Sequence, residues 1–166
     1  MKYVNLAEDS VLERLGMYTF MYCGIESFRI PSSVTSMAQY VFYGCNLNKI
    51  VVDKQNRHYD SRGNCNAIIN SKTNSLIVAG VNTRIPKTVT SIGDESFVCQ
   101  IWLEKLKIPQ DIEYIEYTAF DGCSMLSNIK VSKANKVYDS RDNCNAVMET
   151  ATNTLIAGCQ NTVIPN

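Results

Sequence analysis

Apolar residues alternate with polar ones over short stretches, and similar stretches return along the chain. Phe28 and Ile30, Ile50 and Val52, Leu106 and Ile108, and Ile129 and Val131 each stand two residues apart. A period of two places both members of a pair on one face, so each pair predicts a short strand with one buried side. Proline closes such stretches at Pro31, Pro86 and Pro109, because it cannot donate the next ladder hydrogen bond and keeps its neighbour out of the helical region. A second extended segment follows at 34–37, 89–92 and 112–115. The residues after it, 39–44, 94–99 and 117–122, leave room for about one helical or 3-10 turn, with Phe42, Phe97 and Phe120 as inward wedges.

The spacing is regular. Phe97 to Phe120, Leu103 to Leu126 and Ile108 to Val131 are each 23 residues, and an earlier pass from Phe20 to Phe42 takes 22. Units this short cannot bury a core alone, so each must rest on its neighbours, which predicts a solenoid of parallel strands. A longer repeat is superimposed. Residues 59–86 return as 138–165 at an offset of 79 without a gap, with 16 of 28 positions identical. Within the block, 67–69 and 76–78 flank the polar stretch 70–75 and predict a hairpin-like pair, repeated at 146–148 and 155–157.

The opening residues fit the same rhythm. Leu12 lies eight residues before Phe20, as Val34 lies before Phe42, and Leu15-Gly16 matches Ile92-Gly93. The leader therefore reads as the back half of a repeat, with Val4-Asn5-Leu6 a possible edge strand; an amphipathic helix from Glu8 to Leu15 is the competing local reading.

Composition narrows the function classes. In 166 residues, sixteen basic and sixteen acidic side chains cancel with no long run of one sign, which disfavours nucleic acid as a partner because phosphate backbones demand excess positive charge. No apolar stretch approaches a membrane span, and the first residues lack the pattern of a secretion signal. Seven cysteines exclude a complete intrachain disulfide framework. Cys23, Cys45 and Cys123 share one repeat position, and Cys99 is displaced by one residue because its unit lacks the glycine found at Gly44 and Gly122. Cys159 could pair with Cys144 across the second hairpin, but Gly80 takes the place of Cys159 in the first, so free thiols are expected. No CxxC spacing exists and His58 is the one histidine, so neither a metal nor a cofactor is expected. Nearly every polar residue belongs to a recurring pattern, and no nucleophile elbow or phosphate loop occurs; catalysis is not expected.

Two candidate binding sites remain. If Ile30, Val52, Ile85, Ile108, Val131 and Ile164 stack inward, the residues before them, Arg29, Val51, Arg84, Lys107, Lys130 and Val163, form an outward row. Its weakly basic middle could receive an acidic partner or an anionic glycan, against the plainer reading of a solvated face with long side chains over apolar surface. The second site is the duplicated loop: Asp60, Arg62, Asn64 and Asn66, with Asp139, Arg141, Asn143 and Asn145. These residues could hold calcium or sugar hydroxyls, but the calcium-loop spacing is absent and Asx turns tied by an arginine are the favoured reading.

The run Phe120-Asp121-Gly122-Cys123-Ser124-Met125-Leu126-Ser127-Asn128-Ile129-Lys130-Val131, with Ile85-Pro86-Lys87-Thr88-Val89-Thr90-Ser91-Ile92-Gly93, resembles the 23-residue leucine-rich repeat of BspA-like, or Treponema-type, surface proteins of host-associated bacteria. The duplicated block is similar to the irregular unit of some gut Bacteroides members. The resemblance covers almost the whole chain. It implies a right-handed leucine-rich-repeat solenoid, mostly β, with short 3-10 or helical segments and hairpin insertions. It also implies an extracellular or cell-surface location and a non-enzymatic role in adhesion or protein recognition, by host or bacterial surface proteins. A carbohydrate-binding module and a structural spacer are the alternatives. Residues 1–166 are expected to form one domain of a longer protein, because the chain stops before the next extended segment, and an open repeat end favours end-to-end self-association.

Overall fold

The computed structural model describes residues 4, 6–7 and 9–165. Its first strands are β1 (Arg14–Leu15), β2 (Ser27–Ile30), β3 (Ser36–Met37), β4 (Lys49–Val52), β5 (Tyr59–Asp60), β6 (Ala67–Asn70) and β7 (Ser75–Ala79). The chain continues through β8 (Ser91–Ile92), β9 (Lys105–Ile108), β10 (Tyr114–Ile115), β11 (Asn128–Val131), β12 (Tyr138–Asp139), β13 (Val147–Glu149) and β14 (Thr154–Ala157).

Two sets of parallel ladders wind the chain into a solenoid. The longer strands pair as β2 with β4 and β9 with β11, so that Phe28 lies opposite Ile50, Ile30 opposite Val52, Leu106 opposite Ile129 and Ile108 opposite Val131. Seven of these eight side chains are buried and Val131 is half-buried, as the period of two requires. The shorter strands pair as β1 with β3 and β8 with β10. Because Leu15 stands opposite Met37, the leader is the back half of a repeat. No helix forms over residues 9–15, and Glu8 lies outside the described residues. Val4 and Leu6 pack against the first apolar cluster without forming a strand, and Asn5 is outside the described residues.

Each duplicated block adds an antiparallel meander: β5-β6-β7 in the first copy and β12-β13-β14 in the second. In the first copy β7 also pairs in parallel with β8, which joins the block to the solenoid in one five-stranded sheet ordered β10-β8-β7-β6-β5. The 3-10 turns occur here, at Arg62–Asn64 and Arg141–Asn143, not at the expected positions 39–44, 94–99 and 117–122. The aromatic turns cannot be helical because left-handed residues interrupt them. Tyr18, Tyr40 and Glu95 stand at positive φ two residues before Phe20, Phe42 and Phe97. Tyr22, Gly44, Cys99 and Gly122 do so two residues after the aromatic of each unit. Cys99 thus occupies the glycine position itself, with φ 53°.

The thiols at the regular position tie one turn to the turn before it. Cys45 donates to the Phe20 carbonyl at 3.0 Å and Cys123 to the Phe97 carbonyl at 3.1 Å. All seven cysteines are free, Cys144 and Cys159 included. The turns stack in two pairs: the Phe20 and Tyr22 N–H groups bond to Val41 and Tyr43, and those of Phe97 and Cys99 to Ala119 and Asp121. Between the pairs the first block contributes β7 and no aromatic turn of its own, so a gap opens between residues 39–43 and 94–99.

The inward row is not one ladder, which corrects the expectation from spacing. Ile85 is half-buried but lies outside every strand, in the irregular stretch 80–90, and Ile164 is 63% exposed because no described element covers it. Turns at 81–82 and 160–161, which close the two insertions, stand just ahead of these residues and keep them out of the parallel ladders.

Candidate functional site

Arg84, flanked by turns, is removed from the outward row, and the row splits in two. Arg29 pairs with Val51 between β2 and β4, and Lys107 stands opposite Lys130 between β9 and β11. Arg29 is engaged: its guanidinium donates to Asp53 at 2.6 Å. The backbone N–H of Gln55 and then Arg29 hold the Asp53 carboxyl below its ordinary range. Arg84, Lys107 and Lys130 have no ion-pair partner among the described residues. They line one open hollow with Lys105, a fourth cation that stands outside the single outward row. Ile85, Leu103, Pro109 and Val131 supply apolar wall, and no acidic side chain lines the hollow. Lys105 was legible as the other exposed member of the alternating run Lys105-Leu106-Lys107-Ile108. Val163 is exposed, next to Ile164.

The duplicated loops are built as clamps. Asp60 accepts from the Arg62 backbone at 3.1 Å and from its Nε and Nη2 at 2.8 and 2.6 Å, while Ser71 donates to the same carboxylate at 2.8 Å. Arg62 also reaches Asn74, across the hairpin. The second copy repeats this with Asp139, Arg141, Thr150 and Asn153. Asn64 and Asn143 are exposed at positive φ, so their part is to turn the backbone. Among the described residues no group of three or more His, Cys, Asp or Glu side chains could hold a metal.

Two asparagines per copy bind backbone across the joint between solenoid and block. Asn66 accepts from Ile50 N–H at 2.7 Å and donates to the Leu47 and Val81 carbonyls at 3.2 and 2.6 Å; Asn145 accepts from Ile129 N–H and donates to Ser127. Asn56 donates to the Pro31 and Val34 carbonyls and accepts from His58 and Tyr59, and Asn135 does the same for Pro109, Ile112, Val137 and Tyr138. The Asn56 and Asn135 pair lies before the 59–86 block and was missed, although the offset of 79 already aligns it, with Lys54 and Lys133 beside it. The tyrosines opening each block are plugs: Tyr59 and Tyr138 are buried, and the Tyr138 hydroxyl accepts from Ile115 N–H on the edge strand β10 at 3.0 Å.

The loops and the outward row also meet. Arg29 lines a hollow with Asp60, Arg62 and Asn64, and Lys130 lines the equivalent hollow with Asp139, Arg141 and Asn143.

The clamps make stability depend on acid. Burial alone would raise Asp60, but the bonds from Arg62 and Ser71 outweigh it, and the Arg141 bonds lower Asp139 against partial burial, so both carboxyls ionise below the ordinary 3.8. A lowered folded pKa gives stability that is complete above the unfolded value and lost as pH falls through the folded one. Thermal melts should therefore hold steady from neutral pH to about 5 and decline between there and about pH 2. Substituting both Asp60 and Asp139 by asparagine should flatten that decline; an unchanged acid limb would show that the clamps contribute nothing.

The family model of the BspA type leucine-rich repeat region matches residues 2–79 and 64–154, in six copies. The chain belongs to the BspA-type leucine-rich repeat family. Two solved structures are similar to this BspA-type chain. One is a leucine-rich repeat protein from Eubacterium ventriosum, 18% identical, with a TM-score of 0.47 over 65% of this chain and 36% of that one. The other is a leucine rich cell surface protein from Faecalibacterium prausnitzii, 19% identical, with a TM-score of 0.40 over 87% of this chain and 49% of that one. The BspA-type chain thus spans less than half the length of either. No curated protein matches it. Among its described residues no helix is long and apolar enough to cross a membrane.

Proposed function

We propose that this BspA-type chain is a non-catalytic recognition module of a cell-surface or secreted protein, and that it receives an acidic face of a protein partner in the hollow around Lys107 and Lys130. The observation that carries the reading is the register of Lys107 with Lys130, flanked by Arg84 and Lys105, without an acidic neighbour in the hollow. Parallel strands hold like charges roughly 5 Å apart, an arrangement that costs energy in the free chain and is relieved when a carboxylate-bearing surface covers it. The apolar wall from Ile85 to Val131 supplies contact area beside the charge. Glycan binding in the loops has less support, because Asp60 with Arg62 and Asp139 with Arg141 already satisfy one another.

The test is a binding screen against immobilised extracellular-matrix proteins, bacterial surface proteins and a glycan array, at low and physiological salt. A protein hit should weaken about tenfold in the K107E/K130E variant and lose most of its salt dependence. R29E is the control, since Arg29 is held by Asp53 outside this hollow, and it should bind like the parent. Retained affinity in K107E/K130E would sink the proposal, and a glycan hit abolished by D60N/D139N would move recognition to the loops.

A further inference from the structure

The gap between the two stacks of aromatic turns is a cleft of about 210 Å³. Backbone hydrogen bonds do not bridge residues 39–43 to residues 94–99, so side chains do. Gln39 donates to Asp94 at 2.8 Å, and the Tyr40 and Tyr43 hydroxyls lie close enough to Glu95 and Cys99 to have their pKa raised by them. Thr118, from the next turn, also donates to Asp94. Ile77 and Val78 of β7, both half-buried, form apolar wall.

The cleft carries acid with no base. Asp94 and Glu95 line it, Asp121 is close enough to act on Glu95, and neither lysine nor arginine is among its lining residues. Glu95 Oε2 is buried without a hydrogen-bond partner. Independently, Ser96 lines the same cleft at 2% exposure, and its Oγ has no partner among the described residues. An unpaired carboxylate oxygen and an unpaired hydroxyl on two lining residues of one cleft are costly to bury. Burial, with Asp94 and Asp121, raises the Glu95 pKa above 4.5 against the lowering bond from Tyr40, as expected of a carboxylate lacking its counter-ion.

We propose that this cleft is a second recognition site, which takes the side chain of a lysine presented by a protein partner. An ammonium has three donors and no acceptor. Glu95 Oε2, Ser96 Oγ and the Tyr40 hydroxyl oxygen beside Glu95 supply three acceptors. The aliphatic stem lies along Ile77 and Val78. A trimethylated ammonium has no N–H to offer, so it would leave both orphaned oxygens unsatisfied. The site is separate from the basic hollow, and K107E/K130E leaves it intact.

The test titrates the full chain with n-butylammonium and with butyltrimethylammonium, followed by NMR shifts at residues 40, 95 and 96, and then with a lysine-bearing peptide and its trimethyl-lysine form. Saturable shifts with the primary amines, at least about threefold weaker with the trimethylated probes, are expected. E95Q should cost about tenfold in affinity. S96A should cost about threefold without lowering the melting temperature, because its hydroxyl has no partner among the described residues. Equal affinity for both amine classes, or binding indifferent to E95Q and S96A, would overturn the proposal. Concentration-dependent self-association that E95Q abolishes would also overturn it, in favour of a second copy as occupant.

Discussion

Phe97→Ala is expected to destabilise the chain by about 3–5 kcal/mol, the range for emptying a phenylalanine site that cannot collapse. Phe97 is 1% exposed in the larger apolar cluster, and its ring lies 5.3 Å from that of Phe120. Its backbone is fixed on both sides, since its N–H bonds to Ala119 and its carbonyl accepts from Gln100 N–H and the Cys123 thiol. The turn therefore cannot close over the missing ring. In a solenoid the loss spreads to nearest neighbours first. Hydrogen exchange should show protection falling across 89–131 while 25–52, which belong to the other cluster, keep theirs. Phe120→Ala should cost less, because Phe120 is only half-buried. A melting temperature within about 2 °C of the parent for F97A would contradict the wedge role.

What the sequence discloses depends on how far apart the cooperating residues stand. Phe28 with Ile30 and Leu106 with Ile108 announce their strands because alternation is local, and their partners one repeat later make the ladder legible as well. Analogy of position puts Arg84 on a strand beside Lys107; the strand is missing because its own block has turns on either side of it, although Arg84 still lines the hollow with Lys107. The roles of Asp60 and Arg62 were readable as a clamp, since both lie within one loop. Asn66 was not: duplication of a polar residue is equally compatible with ligand binding and with a backbone bond, and only the fold shows Leu47 and Ile50 across from it. The acidic cleft was invisible for the same reason. Tyr40 and Glu95 are brought together by the absence of an aromatic turn between them, and an absence has no residue to mark it. The tyrosines divide in the same way: Tyr40 and Tyr43 pack with Tyr18 and Tyr22, while Tyr59 and Tyr138 are buried plugs.

Asn66→Ala is expected to cost about 3 kcal/mol, from a polar side chain that is only half-buried. In a regular repeat the N–H of Ile50 would meet the carbonyl of the next parallel strand. The block places no strand there, and Asn66 Oδ1 accepts that hydrogen bond at 2.7 Å while Nδ2 donates to the carbonyls of Leu47 and Val81. One amide thus stands in for a strand edge, and alanine would orphan the Ile50 donor and the Val81 acceptor at a half-buried joint, while the Leu47 carbonyl keeps only its bond from the Val81 N–H. Asn66 also sits at φ 55°, which asparagine tolerates better than alanine. Asn66→Gly separates the two contributions, since it loses the same bonds but relaxes the backbone; it should fall short of the alanine loss by about 1 kcal/mol. Asn66→Asp keeps the acceptor for Ile50 but turns an anionic oxygen on two carbonyls, and should be no better than alanine. If urea melts placed all three variants within about 0.5 kcal/mol of the parent, the joint between solenoid and block would have to be held by apolar contact alone, through Ile68 and Tyr59 against the first cluster.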